Sequence, residues 1–264
     1  MDIIARLLKE SLRRFFRNGG FFLAAAVAFF ASISVFPLLL LGFIALLLFF
    51  RAGVAEPTIL AIANGLIPNG ATFLRQLIEE RVRATSEGLL GALALIYAGM
   101  GVFGALQYAL DRSFEVKKPR SYKRFLLTSL TMTLVTGVLI VVTGLFRVFA
   151  GIFEGLASAV SPGLAVLLSL LSEVVLLGAF FALITLIYIF VPTERRSFRA
   201  VWPGALFATV SVYIAQVIFS ISLKHTSIPF IFGSLTAVIA LLIWLDVTAI
   251  LIILGAEIAA SWTK

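Results

Sequence analysis

Cysteine is missing from all 264 residues of this chain. That excludes disulfides, thiolate nucleophiles and cysteine-built metal sites. Histidine occurs once, as His225 beside Lys224 in what reads as a short outer loop, where a solvated role outweighs that of a catalytic base. No serine has a histidine and an acid gathered around it, so triad hydrolysis has no basis. The loops also lack the acid and histidine clusters that catalytic metals need, and no cofactor is expected. Charge is scarce too: Asp, Glu, Lys and Arg together make up 13% of the chain, against 61% hydrophobic residues. A soluble domain of this length cannot hide so much apolar surface.

What is present instead is six long apolar stretches, at about 20–50, 88–110, 125–149, 164–191, 200–223 and 232–260. A span needs about 20 mostly apolar residues. Helices follow, because the backbone must satisfy its own hydrogen bonds in lipid. A β-barrel would alternate in strands of about ten residues, and runs such as Leu38-Leu39-Leu40-Leu41 do not alternate. The predicted fold class is all-α: one polytopic domain over 1–264 with six transmembrane helices.

The basic residues collect in every second gap. Arg6, Lys9, Arg13, Arg14 and Arg17 precede the first span; Arg112, Lys117, Lys118, Arg120, Lys123 and Arg124 follow the second; Arg195, Arg196 and Arg199 follow the fourth. The positive-inside rule then puts both termini in the cytoplasm. The same residues can touch anionic lipid headgroups, which accounts for the net charge of +8 without a nucleic-acid partner.

Residues 1–18 repeat apolar side chains at helical spacing (Ile3, Ile4, Leu7, Leu8, Leu12, Phe15, Phe16), with the basic residues assigned to the opposite face. This predicts a helix lying in the membrane interface. Pro37 in the first span predicts a kink or hinge. The extracytoplasmic segment 51–87 predicts short amphipathic helices broken at Pro68-Asn69-Gly70.

Ionisable residues within spans are the natural functional candidates. Arg147, Glu173 and Asp246, with Gln216 as a weaker member, form the candidate substrate-binding set, expected to face the bundle interior or a watery cavity. Arg147 is a partner candidate for Glu173 or Glu154. The competing structural reading has Thr185 or Thr209 donating to these carboxylates. Glu257 reads as structural or interfacial, within reach of the inner headgroups, and Gln107 as a structural polar residue. Gly99, Gly101 and Gly104, and the Gly151/Gly155 pair, predict close helix packing and permit a homodimer.

Three stretches together resemble the YihY/BrkB family of bacterial inner-membrane proteins. They are Ala24-Ala25-Ala26-Val27-Ala28-Phe29-Phe30 through Ser34-Val35-Phe36-Pro37, Ala105-Leu106-Gln107-Tyr108-Ala109-Leu110-Asp111-Arg112-Ser113-Phe114, and Val191-Pro192 through Trp202-Pro203-Gly204-Ala205 and Phe232-Gly233-Ser234-Leu235 to Leu254-Gly255-Ala256-Glu257. The resemblance implies six inner-membrane helices with cytoplasmic termini. It also implies links to serum resistance and envelope-lipid export, and many members are labelled ribonuclease BN, a label to which the residues here give no chemical support. Two residues depart from the pattern: Asp246 stands where an aromatic or apolar residue is expected, and Asp111 where Asn is expected. The polar set within the apolar bundle points to translocation of an envelope lipid or another amphipathic molecule; the alternative is a non-catalytic scaffold that recruits envelope or cytoplasmic partners through segment 56–86 and the basic loops.

Overall fold

The structure is a computed structural model that describes residues 2–49, 88–117, 121–225 and 236–262, with side chains described within 6–34, 100–117, 121–222 and 238–262. Its described elements are all α-helices: α1 (Asp2–Arg17), α2 (Gly20–Phe49), α3 (Gly88–Ser113), α4 (Tyr122–Val160), α5 (Pro162–Phe190), α6 (Phe198–His225) and α7 (Thr236–Trp262). The expected amphipathic helices of 51–87 lie outside the described residues. Among those that are described, α4 to α7 are each long and apolar enough to cross a membrane; α1 and the described part of α2 make a fifth candidate, bent by 71°.

Helices α2 to α7 match the six apolar stretches, and two boundaries differ instructively. The third stretch does not stop near residue 149: α4 runs on to Val160 and α5 begins at Pro162. Ser161 alone joins them, extended at φ −158° and ψ 129°. The residue before a proline is pushed out of the helical region, and proline is well suited to the first helical position. The helix therefore propagates until Pro162 forbids it, and restarts there. Lys224 and His225 are the last residues of α6, not a loop. α2 is one helix from Gly20 to Phe49, Pro37 included.

Among the described residues, the core includes the end of the bundle that carries α1. Tyr188 and Ile184 of α5, Val201, Ala205 and Ala208 of α6, and Ala249, Ile253 and Ala256 of α7 are all buried in it, with Ala24 of α2 and Ala109 and Leu110 of α3. Small residues make this possible. A Cβ on Gly204 would run into the Gly255 carbonyl oxygen, and one on Gly255 would meet the Gly204 oxygen at 2.6 Å, so α6 and α7 cross almost backbone to backbone. The Tyr188 hydroxyl donates to the Ile252 carbonyl and fixes α5 in register with α7. On α3, a Cβ at Gly101 would strike the Phe30 ring of α2 and one at Gly104 would crowd Phe125 of α4, so these glycines serve close packing. Gly151 and Gly155 are different: among the described residues, nothing lies within 4 Å of a Cβ at either. The outer part of the α4–α5 hairpin leaves Phe149, Phe153, Leu156, Leu167 and Leu170 exposed, as a lipid-facing surface requires.

Candidate functional site

Two polar centres stand out, at opposite ends of the apolar helices. The first lies where α1 docks. Ser11, Arg14 and Asn18 fall three and four residues apart, so they share one stripe of the α1 turn sequence. Ser11 and Arg14 are buried at 0% and 3% exposure. The Arg14 Nε donates to Glu257 Oε2 at 3.0 Å, and its Nη2 donates to the Ser113 carbonyl at the end of α3 at 2.7 Å. Asn18 Nδ2 donates to the other Glu257 oxygen at 2.7 Å, and the Ser11 hydroxyl to Ser261 Oγ at 3.2 Å. Glu115, held at φ 54°, lies 3.4 Å from Arg14 and 3.7 Å from Arg17.

This arrangement corrects one expectation. Arg14 does not lie with the other basic residues on the polar face: it points into the bundle while Leu8, Leu12 and Phe16 face away, exposed. Of the two readings of Glu257, structural or interfacial, its fully buried side chain fits the structural one. A carboxylate so enclosed would be very costly alone, and the guanidinium and the Asn18 amide together make its burial tolerable.

Beside this centre, Asp111 holds the chain between α5 and α6. Its Oδ1 accepts from the Thr193 N–H at 2.7 Å and its Oδ2 from the Thr193 hydroxyl at 2.6 Å. Gln107 donates to the same Thr193 hydroxyl oxygen at 3.0 Å. Arg196 donates to the Phe114 carbonyl and lies 5.2 Å over the Phe114 ring. Gln107 thus has a definite structural partner.

The second centre is on the α4–α5 hairpin. Arg147 Nη1 donates to Glu173 Oε1 at 2.6 Å, with side chains 51% and 40% exposed. The neighbouring Ser172 hydroxyl donates to Glu154 Oε1 at 2.8 Å. So Arg147 pairs with Glu173, while Glu154 takes Ser172. The pair sits on the flank of the hairpin among exposed apolar side chains, and not in the bundle interior as expected.

Asp246 does not join them. The Tyr188–Ile252 contact sets the register: at about 1.5 Å per residue, Asp246 lies about 9 Å along α7 from it, and Glu173 about 22 Å along α5. Asp246 is half-buried, without an ion-pair or hydrogen-bond partner among the described residues, and Gln216 is half-buried on α6. Neither threonine serves a carboxylate among the described residues: Thr209 bonds back to the Ala205 carbonyl, and the Thr185 hydroxyl has no partner there. The described residues contain no group of three His, Asp or Glu placed as metal ligands.

Sequence reasoning missed Arg14, Asn18, Asp111 and Thr193 as members of built sites. The signal for the first two was the regular spacing of Ser11, Arg14 and Asn18 through an otherwise apolar and basic segment. Asp111 was visible only as a departure from a family pattern.

Comparison with known proteins agrees with this picture of a multi-pass membrane protein. YfkH of Bacillus subtilis, named as a ribonuclease-like protein, is 29% identical over 97% of this chain and 95% of its own length. A UPF0761 membrane protein of Pseudoalteromonas translucida is 26% identical over 90% of this chain and 79% of its own. Another, from Chromohalobacter salexigens, is 26% identical over 98% of this chain and 64% of its own. No solved structure matches. The family described as Virulence factor BrkB matches residues 11–264, nearly the whole chain, and this membrane protein belongs to that family.

Proposed function

We propose that the protein spans the bacterial cytoplasmic membrane six times, with both termini inside, and translocates an envelope lipid or another amphipathic molecule. The observation that carries this reading is the half-exposed Arg147–Glu173 pair on an apolar helical hairpin. A charged pair facing lipid is costly unless something polar meets it. A guanidinium and a carboxylate side by side match the phosphate and the ammonium of a zwitterionic headgroup. Exposed Phe153, Leu170 and Val174 nearby would take the chains. Asp246 and Gln216 would offer polar points deeper along the path, and Pro37 a hinge for lateral opening. The chain carries no nucleotide-binding motif, so driven transport would draw on an ion gradient or a partner protein.

The test is lipid movement in liposomes, followed with a fluorescent phospholipid and a membrane-impermeant quencher. The wild-type protein is expected to speed exchange between leaflets, and Arg147→Gln with Glu173→Gln to remove most of that gain. An unchanged rate in the double variant would eliminate this pair as the site.

A second reading is a non-catalytic scaffold that recruits envelope or cytoplasmic partners through segment 56–86 and the basic loops; Gly151 and Gly155, with nothing described within 4 Å of a Cβ, would also let a second copy approach closely. Crosslinking that captures neither a second copy nor an envelope partner counts against it. Ribonuclease activity, suggested by the name of YfkH, ranks lower, because this chain gathers no acid–base set for cleavage among its described residues. Protein purified free of soluble nuclease is expected to leave RNA intact.

A further inference from the structure

Helix α1 shows two stripes to two hosts. Ser11, Arg14 and Asn18 meet the bundle, whereas Leu8, Leu12 and Phe16 face away at 39%, 45% and 62% exposure. An amphipathic helix ordinarily docks through its apolar stripe. Here the apolar stripe is left for the membrane surface, and the polar one holds the helix down.

The joint between α1 and α2 is short. It comprises Asn18 and Gly19, turns the chain by 71°, and places Gly19 at φ 73°, which glycine adopts without strain. Phe15, the one large apolar side chain of α1 that is fully buried among those described (3% exposed), packs at this joint against Phe21 at 5.2 Å, and Leu7 is half-buried. Swinging α1 about the joint would leave Leu8, Leu12 and Phe16 in the surface layer in either position, so burial of these three contributes little to docking, and Phe15 sits at the pivot itself.

What remains is polar, and finely balanced. A buried ion pair gains little net stability once desolvation is counted, and its best-attested roles are register and switching. The docked state also leaves Arg14 Nη1 and the Ser113 hydroxyl buried without partners among the described residues. Both would be satisfied in a hydrated headgroup layer. While docked, Arg14 bridges Glu257 of α7 and the last carbonyl of α3, so one side chain ties two bundle helices together.

We propose that α1 is a releasable latch: the Arg14–Glu257 pair clamps the ends of α3 and α7, and undocking of α1 about Asn18–Gly19 frees them to part. This does not rest on the lipid reading.

The cysteine-free chain makes the test direct. Ser11→Cys and, separately, Ser129→Cys are made in full-length protein in nanodiscs, and reaction with a membrane-impermeant maleimide is timed. Ser11 and Ser129 are both buried, at 0% and 1% exposure, but only Ser11 belongs to the latch. The Ser11→Cys thiol is expected to react measurably while the Ser129→Cys thiol does not. Adding Glu257→Gln should speed the former about tenfold or more, as loss of a buried charge partner implies. A Ser11→Cys thiol as inert as the control, or one that Glu257→Gln does not accelerate, overturns the latch. If Glu257→Gln fails to fold, the comparison of the two single-cysteine proteins decides alone.

Discussion

Arg14 and Glu257 exclude each other from water, and their pairing has an energetic signature. Removing one partner leaves an uncompensated buried charge, at a cost of about 3–5 kcal/mol, whereas replacing both with apolar residues of similar volume is close to neutral. Arg14→Met alone and Glu257→Met alone are therefore expected to lower the thermal unfolding midpoint sharply. The double variant should return close to the wild type. A double variant no better than the singles would mean that the surrounding hydrogen bonds, and not charge pairing, hold this end together. At this scale the sequence was only partly readable. Arg147 reads from the sequence as a partner for Glu173 or Glu154, and only the fold pairs it with Glu173. The Arg14–Glu257 pair was not legible, because five basic residues in one segment look alike until the fold selects one of them. The choice depends on the angle at which α1 leaves Gly19, which no local pattern encodes.

At the scale of elements, the glycines divide into those that must be glycine and those that are merely small. Gly204 and Gly255 face each other across α6 and α7, where a Cβ would meet backbone atoms that cannot move aside. Gly204→Ala is expected to destabilise by about 1–3 kcal/mol or more, through overpacking. Gly151→Ala should leave the folded monomer unharmed, since its Cβ would enter open space and alanine favours a helix by about 1 kcal/mol. Comparative unfolding of the two variants in detergent checks both. Equal losses would place Gly151 against a neighbour not yet identified. Sequence alone did not separate these cases: Gly151 and Gly155 have the familiar four-residue spacing and no contact among the described residues, whereas Gly204 and Gly255 lie far apart in the chain and touch. The reach of α4 was likewise misjudged by hydropathy, which marks where lipid compatibility fades. Helix termination is a backbone matter, and Pro162 decided it.

For the whole molecule, the distribution of charge predicts orientation. Lys117 and Arg195 stand in gaps rich in basic residues, whereas Ser161 joins α4 to α5 at the other end of that hairpin. In intact spheroplasts, single cysteines replacing Lys117 or Arg195 should resist an impermeant maleimide, and Ser161→Cys should react. The reverse pattern would invert the topology, and labelling at all three would reject a membrane-spanning arrangement of this hairpin. Composition and the spacing of apolar stretches were sufficient to establish an all-helical membrane protein, because burial in lipid is a property of each stretch separately. The residues quoted for the family resemblance likewise sufficed to identify the BrkB family, since they recur along nearly the entire chain. Which polar side chains meet was decided only in three dimensions. A long-range pair such as Arg14 and Glu257 depends on how helices cross and tilt, and that is set by the close approach of small residues together with the bend at Gly19, not by any segment read alone.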